Sequence, residues 1–198
     1  QQEEVIITFE GVEGVGKTTQ TALLKTYLET QGRPVIAIRE PGGSELSEKI
    51  RTLFLHEAMD PLTELLLVLA SRHENITRLI DPALAAGTIV IIDRFIDSTL
   101  VYQGIAGGLG IGRVKQIMQA TDPWLFPDLT FVLDLEAELA AGRYTPDDRF
   151  EHRERDFHKR LRAGFLAVAD EKRHHILDTT IPKERVFETV RAMVQEKL

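Results

Sequence analysis

The segment Gly11-Val12-Glu13-Gly14-Val15-Gly16-Lys17-Thr18 follows an apolar run at residues 5–9 and precedes a stretch of helical periodicity at residues 19–30. It matches the complete phosphate-binding pattern G-x-x-x-x-G-K-[ST]. Glycines let the backbone of such a loop turn its N–H groups towards an anion, and the positive end of the following helix adds to the attraction. A chance match in a glycine-rich turn is the alternative, but the flanking strand and helix favour a loop that binds a nucleoside triphosphate.

Two side chains of this loop have chemical roles of their own. The charge of Lys17 suits the β- and γ-phosphates, and the hydroxyl of Thr18 suits a magnesium ion. We therefore predict that the whole segment binds the triphosphate. Its residues are Gly11, Val12, Glu13, Gly14, Val15, Gly16, Lys17, Thr18 and Thr19.

Outside the loop, short apolar runs rich in β-branched residues alternate with longer segments of helical periodicity. These runs are residues 5–9, 35–38, 89–92, 129–133 and 175–177. Strands that are apolar throughout are typical of a parallel sheet that helices cover through right-handed crossovers. The pattern predicts an α/β fold, with a five-stranded parallel sheet and helices on both of its faces.

Three connecting segments have distinctive compositions. Residues 62–80 are apolar over a length typical of one long helix. Residues 151–172 predict a strongly charged helix, which we interpret as a solvated face. Five glycines within residues 104–112 predict a loop.

The composition excludes several classes of function. The 198 residues are 43% hydrophobic, enough for one core, and their net charge of -7 argues against a general nucleic-acid-binding protein. Because there is no cysteine, disulfides and thiolate metal sites are excluded. The longest apolar run, residues 65–70, is too short to span a bilayer, and the N-terminal residues do not resemble a signal peptide. We expect a cytoplasmic protein with no membrane or nucleic-acid partner.

Two further segments end predicted strands at the sheet edge where the phosphate loop begins. Asp93 follows the third strand, and its carboxylate suits a magnesium site shared with Thr18. Since Arg94 comes directly after it, an ion pair of these two residues with only a structural role is the alternative. Residues 39–43 end the second strand, and they form either a tight turn or part of a pocket for a phosphoryl acceptor.

Taken together, these segments resemble the thymidylate kinases, the bacterial dTMP kinases, over most of the chain. The similar motifs are the phosphate loop with the acidic residue Glu13, the turn at residues 39–43, the helix that carries Arg72, and segments 93–104, 148–151 and 157–158. Segment 93–104, which runs from Asp-Arg-Phe to Tyr-Gln-Gly, is much more specific than the phosphate loop.

The resemblance implies a fold and an activity. The fold would be that of a P-loop kinase, in a single domain over residues 1–198 with a short lid around residues 143–150. The activity would be the ATP-dependent phosphorylation of dTMP to dTDP, a step of dTTP biosynthesis, with Mg²⁺ as cofactor.

Roles for individual side chains are implied as well. Arg94 would bind the phosphate of dTMP, whereas Arg72 and Thr99 would bind the edge of thymine. Tyr102 would lie under the deoxyribose, and Glu13 would reach its 3′-hydroxyl or the water bound to it. The remaining residues of the acceptor pocket would be Glu40, Pro41, Val68, Ser98 and Gln103.

The resemblance assigns catalysis to Lys17, Arg94 and arginines of the lid. Since the phosphate loop contains no arginine, the lid must supply one, and the candidates are Arg149 and Arg143. The sequence departs from the family's pattern at Val68, where an aromatic ring usually lies four residues before the arginine that binds the base.

Two other functions share the phosphate loop. A P-loop kinase for another nucleoside monophosphate or for a deoxynucleoside is one, and substrate assays separate it from a dTMP kinase. A GTPase switch is the other, but it requires an Asn-Lys-x-Asp motif that the sequence lacks. The apolar surfaces of residues 46–55 and 62–69 exceed what one sheet face needs, so we expect a homodimer through these helices, as the resemblance also implies.

Overall fold

A computed structural model of the protein describes residues 4–121, 126–143, 150, 155–170 and 172–198. The strands are β1 Ile6–Glu10, β2 Val35–Arg39, β3 Ile89–Asp93, β4 Leu129–Asp134 and β5 His174–Asp178. The helices are α1 Lys17–Thr30, α2 Glu45–His56, α3 Pro61–Asn75, α4 Asp81–Ala85, α5 Ile96–Thr99, α6 Ile111–Thr121, α7 Ala137–Ala141, α8 Arg155–Val168 and α9 Lys183–Lys197. Two π-helical segments, Ile76–Ile80 and Leu100–Ala106, connect α3 to α4 and extend α5.

All five strands run parallel in one sheet, in the order β2-β3-β1-β4-β5. This confirms the predicted five-stranded parallel sheet. The register aligns both Phe9 and Arg39 with Asp93, so the carboxyl ends of β1, β2 and β3 lie together at one edge. Ligands of open parallel sheets bind at that edge.

The central strands β1, β3 and β4 are buried on both faces, as their apolar sequences predict, whereas the edge strands β2 and β5 are partly exposed. Successive residues of β3 point to opposite faces. Ile89 and Ile91 pack in a cluster with α1 and α9, whereas Val90 and Ile92 pack in a second cluster with α3 and α6. None of the described helices is long and apolar enough to span a membrane.

The helix predicted over residues 62–80 belongs to a longer helical stretch. α3 begins after Asp60, whose carboxylate accepts hydrogen bonds from the N–H groups of Leu62 and Thr63 at 2.9 and 3.1 Å. The chain stays helical through Ile76–Ile80 and α4. Pro82 lies in the first turn of α4, where its missing N–H costs little.

The loop predicted over residues 104–112 is wrong in its extent. Gly104 belongs to the second π-helical segment and Gly112 to α6, which leaves residues 107–110 as the connection. At Gly104, an added Cβ would lie 3.5 Å from the Cα of Ile111, an ordinary contact distance, so packing does not require glycine there. The charged helix α8 ends at Val168, before the predicted end at residue 172.

Candidate active site

The phosphate loop joins β1 to α1 at the carboxyl edge of the sheet. Gly11, Gly14 and Gly16 have positive φ angles of 131°, 77° and 101°, a region that favours glycine. At Gly11, a Cβ would lie 2.5 Å from a backbone carbonyl oxygen of β4, so no larger residue fits. Val12 and Val15 anchor the loop through side chains buried in the core.

Lys17 lies across the phosphate loop and is only 7% exposed. Its ammonium group donates a hydrogen bond to the carbonyl oxygen of Val12 at 2.6 Å. Burial, together with the nearby Arg94 guanidinium, lowers the pKa of Lys17 to about 8. Phosphate oxygens beside this amine would favour its charged form, so Lys17 is placed to bind an anion.

Thr18 and Asp93 meet, as the sequence predicts for a shared metal site. The Thr18 hydroxyl donates to a carboxylate oxygen of Asp93 at 2.7 Å, which links α1 to the end of β3. A hydroxyl and a carboxylate are the hard oxygen ligands that Mg²⁺ prefers. Within the described part of the chain, no group of three or more His, Cys, Asp or Glu side chains forms a metal centre. A Mg²⁺ ion at this pair would therefore complete its coordination with phosphate oxygens and water, as is usual for this ion.

Arg94 has a φ angle of 70°, a left-handed conformation that is unusual for a residue with a Cβ. Its guanidinium donates to the Gly11 carbonyl oxygen at 2.8 Å, to Ser98 Oγ at 3.2 Å and to Glu13 Oε1 at 2.7 Å. It also lies 5.2 Å from the centre of the Tyr102 ring. These contacts direct the guanidinium towards the phosphate loop.

The charge of Arg94 is balanced by its neighbours. Burial alone would lower the pKa of Arg94, but Tyr102, Glu13 and Asp93 raise it, so the guanidinium stays charged. Its salt bridge is made with Glu13, whereas Asp93 accepts the hydrogen bond from Thr18. The arrangement thus differs from a structural ion pair between Asp93 and Arg94.

A cavity of about 580 Å³ lies beside the loop, and we call it the acceptor cavity. It brings together all the predicted acceptor residues, which come from four separate segments of the chain. These residues are Glu13, Glu40, Pro41, Val68, Arg72, Arg94, Ser98, Thr99, Tyr102 and Gln103.

Arg72 lies deep in the acceptor cavity and is 4% exposed. Its Nε donates to Glu40 Oε2 and its Nη2 to Thr99 Oγ1, both at 2.8 Å. The guanidinium carbon lies 4.8 Å from the centre of the Phe95 ring. Nη1 is buried and has no hydrogen-bond partner among the described residues. Because an unpaired buried donor costs about 1–3 kcal/mol, Nη1 is placed to bind an acceptor atom of a ligand.

Glu13 offers a second unpaired atom to the acceptor cavity. Its Oε1 accepts from the Tyr102 hydroxyl at 2.6 Å as well as from Arg94. Burial alone would raise the pKa of Glu13, but Arg94, Lys17 and Tyr102 lower it, so the carboxylate is charged. Oε2 is buried without a partner in the described part of the chain, which leaves it available to a ligand hydroxyl.

One wall of the acceptor cavity contains aromatic rings that were not among the predicted site residues. Phe54 of α2 stacks on Phe150, with ring centres 5.2 Å apart and planes inclined by 27°. Val68 packs in the same cluster and is 6% exposed. No motif marks Phe54, because a single aromatic residue on an amphipathic helix has the same pattern as an ordinary core residue.

A second cavity, of about 680 Å³, lies on the other side of the phosphate loop, and we call it the donor cavity. Its wall includes Gly14, Val15, Gly16, Lys17, Thr18, Thr19, Gln20, Arg143, Thr179, Thr180, Ile181, Pro182, Lys183 and Val186. Arg143 donates to the Thr179 carbonyl oxygen at 2.9 Å, and Gln20 donates to that of Lys183 at 2.9 Å. Residues 179–183 were not predicted, although their place after the last predicted strand puts them at the same sheet edge.

Of the two predicted lid arginines, only Arg143 is described. It lies at the wall of the donor cavity. Arg149 and residues 144–149 as a whole lie outside the described residues.

A parallel sheet with a phosphate loop between two cavities, one of them lined by buried arginines and carboxylates, defines a P-loop phosphotransferase. The family model named thymidylate kinase matches residues 9–190. The chain therefore belongs to the thymidylate kinase family.

Individual relatives agree with this membership. The thymidylate kinase of Symbiobacterium thermophilum is 44% identical over 201 residues, which cover 98% of this chain and 94% of that protein. The thymidylate kinase of Thermomicrobium roseum is 44% identical over 197 residues, covering 96% and 94%. A crystal structure of thymidylate kinase from Ehrlichia chaffeensis superposes with a TM-score of 0.81 at 35% identity, covering 98% of this chain and 99% of that one. The predicted P-loop kinase fold is thus confirmed.

Proposed function

We propose that the protein transfers the terminal phosphoryl group of ATP to dTMP, which yields dTDP for dTTP synthesis. Membership of the thymidylate kinase family supports this activity. The observation that carries it is Nη1 of Arg72, which is buried beside Thr99 in the acceptor cavity and has no hydrogen-bond partner in the described part of the chain. A pyrimidine carbonyl oxygen is an acceptor of the kind that this donor lacks. The carboxylate Oε2 of Glu13 would in turn accept from the 3′-hydroxyl of the sugar.

The chemistry requires charge neutralisation more than a general base. The second pKa of a phosphate monoester lies near 6, so at neutral pH the acceptor phosphate is largely a dianion and already nucleophilic. The enzyme must hold this anion in line with a second anion and offset the charge on the transferring group. Lys17 and Arg94, which donate to the loop carbonyl oxygens of Val12 and Gly11, are suited to do so.

We assign the Mg²⁺ site to the Thr18 hydroxyl and the Asp93 carboxylate. Their 2.7 Å contact holds two hard oxygen ligands beside the loop, and both residues line the acceptor cavity. When bound, the ion would neutralise phosphate charge. Asp93 and Thr18 orient each other, which keeps both oxygens at the loop.

The donor nucleoside would occupy the donor cavity, between Arg143 and residues 179–183. The polar backbone groups of this wall and the apolar side chain of Ile181 suit a nucleoside base. We also propose that residues 143–150 form a lid of a single domain and that Arg149 or Arg143 contacts the transferring phosphoryl group. Closure of such a lid would exclude water and so prevent hydrolysis of ATP.

A homodimer would cover the apolar surface of α2 and α3, which pack on each other. Leu46, Leu53 and Leu66 of these helices are about half exposed, at 50%, 51% and 51%. Clusters of exposed leucines favour association.

We also propose that the protein acts in the cytoplasm, because the absence of cysteine from its sequence fits a reducing compartment.

A coupled assay of ADP release tests the proposed activity. With ATP and Mg²⁺ present, we expect dTMP to give the highest kcat/KM in a panel that also includes dUMP, UMP, CMP, AMP and thymidine. Preference for another monophosphate would instead establish the alternative function, a kinase with a different acceptor. Removal of Mg²⁺ with EDTA should abolish ADP release.

A further inference from the structure

We propose that Glu10 is a positioning residue for the acceptor phosphate, because it holds Arg94 in its binding geometry through Ser98. This deepens the function proposed above and rests on it. Glu10 ends β1 directly before the phosphate loop and is fully buried, with 0% exposure. It is not among the residues that line either cavity, so it acts through its neighbours and not on the ligand.

The Glu10 carboxylate accepts three hydrogen bonds from the segment that follows Arg94. Oε1 accepts from the N–H groups of Phe95 and Ser98 at 2.8 and 3.3 Å. Oε2 accepts from the Ser98 hydroxyl at 2.5 Å. A left-handed conformation such as that of Arg94, with its φ of 70°, persists only where surrounding contacts hold it. Glu10 supplies such contacts immediately after the strained residue.

The Ser98 hydroxyl transmits the effect to the Arg94 side chain. While it donates to Glu10, its lone pairs are free to accept from Arg94 Nη1, which lies 3.2 Å away. A protonated Glu10 would instead donate to Ser98 Oγ. This takes up one of its two lone pairs, and the oxygen becomes a weaker acceptor for Arg94 because its own hydrogen no longer bonds to a carboxylate. The ionisation of Glu10 therefore decides the direction of the hydrogen-bond chain from Glu10 to Arg94.

Several charged groups face Glu10. Arg94 and Asp97 of α5 both act on the pKa of Glu10, and Lys17 of α1 is close enough for its own pKa to respond to Glu10. β4 contributes the apolar Val132 beside it in the sheet. Burial first, and Asp97 second, raise the pKa of Glu10 to about 7.

The charge of Asp97 is balanced on its far side. It pairs with Arg173 at 2.8 Å and with His174 of β5 at 3.2 Å. Burial alone would raise the pKa of Asp97, but His174 and Arg173 lower it, so Asp97 stays ionised. Asp97 is thus charged throughout the neutral pH range. Of the two carboxyl groups, Glu10 is the one that changes its charge in that range.

The variant Glu10→Gln, which is isosteric and neutral, tests this role. We would measure the Kd of dTMP by calorimetry without ATP, and the KM values of dTMP and ATP, from about pH 6 to about pH 8.5. At the high end, we expect the Kd and KM for dTMP to rise at least about tenfold, the size of one lost charge-assisted hydrogen bond. At the low end, the difference should fall below about twofold, because wild-type Glu10 is then protonated. Ionisation of dTMP itself affects both proteins equally and cancels in their ratio.

Thr8→Val is the matched control. Thr8 lies two residues earlier on the same face of β1, is equally buried, and shares a 2.8 Å hydrogen bond with Thr130. This variant should lose stability yet keep the wild-type affinity for dTMP at every pH. If Glu10→Gln does not fold, Ser98→Ala replaces it, since it removes the connecting hydroxyl alone and should flatten the same pH dependence.

Three results would overturn the assignment. One is a Glu10→Gln enzyme with wild-type dTMP affinity at all pH values, and another is a loss of affinity by the same factor throughout. The third is a Ser98→Ala enzyme that keeps the full pH dependence. A wild-type protein that neither binds dTMP nor releases ADP in its presence would instead refute the proposed function, so the two failures are distinguishable.

Discussion

Val68 of α3 and Phe54 of α2 pack in one cluster at the wall of the acceptor cavity, so an aromatic ring at this wall comes from α2. The family's pattern places such a ring on α3, at the position that Val68 occupies here. Phe150 stacks on Phe54, and together these side chains leave Val68 only 6% exposed. In this chain the aromatic ring of the wall therefore comes from α2, whereas the family's pattern takes it from α3.

This packing predicts that positions 54 and 68 are coupled. Phe54→Leu should raise the KM for dTMP about fivefold or more, since stacking a ring on a base contributes roughly 1–3 kcal/mol. Val68→Phe alone should destabilise the protein by roughly 1–3 kcal/mol through overpacking. The double variant should regain both stability and dTMP affinity, measured by Tm and KM. A Val68→Phe protein that binds dTMP more tightly without loss of Tm would show that the wall has open space.

Lys17→Met should abolish phosphoryl transfer and leave the fold intact. The variant keeps the length of the aliphatic stem but removes the charge that acts on the phosphates. The measurements are kcat and Tm. Turnover within about tenfold of wild type would contradict the role of the phosphate loop.

Arg94→Ala should raise the KM for dTMP and lower kcat, because a misaligned acceptor loses both binding and geometry. The KM for ATP should change little. Arg162→Ala is the matched control, since this arginine also forms a carboxylate pair, with Asp134 at 2.6 Å, but lines neither cavity. Wild-type dTMP kinetics in the Arg94→Ala enzyme would reduce Arg94 to a structural partner of Glu13.

Arg72→Ala should raise the KM for dTMP at least about tenfold. A hydrogen bond that involves a charged group contributes about 1.5–3 kcal/mol. Arg72→Ala also removes the buried ion pair with Glu40, which leaves that carboxylate without its counter-charge. Arg72→Lys is therefore a second variant, which keeps the charge but loses the planar set of donors. Both variants should discriminate less between dTMP and CMP. An unchanged ratio of kcat/KM for these two substrates would exclude Arg72 as the reader of the base.

Glu10 should make stability depend on pH. Its pKa rises from 4.5 to about 7 on folding, so between these values the native state binds more protons than the unfolded state. The free energy of unfolding should therefore fall as the pH rises through this window, by roughly 3 kcal/mol, since one pKa unit corresponds to about 1.4 kcal/mol. Chemical denaturation at several pH values should give a flatter profile for Glu10→Gln. A wild-type curve parallel to that of the variant would contradict the raised pKa.

The sequence by itself determined the sheet, the phosphate loop and most of the acceptor cavity. Apolar strand runs and the glycine pattern at residues 11–16 are local signals, because each reflects a backbone conformation or a burial that neighbouring residues specify. Parallel strands also bring their carboxyl ends to one edge, which is why the sequence alone predicts that Asp93 and the loop lie together.

Tertiary structure alone decided which side chains pair within that frame. Arg94 bonds to Glu13, 81 positions away in the chain, and not simply to its neighbour Asp93. No motif marks Phe54, Glu10 or residues 179–183 either. The packing of helices and strands brings them to the cavities or to the residues that line them. Such contacts depend on how side chains of distant segments fill shared space, and no local pattern of residues encodes that.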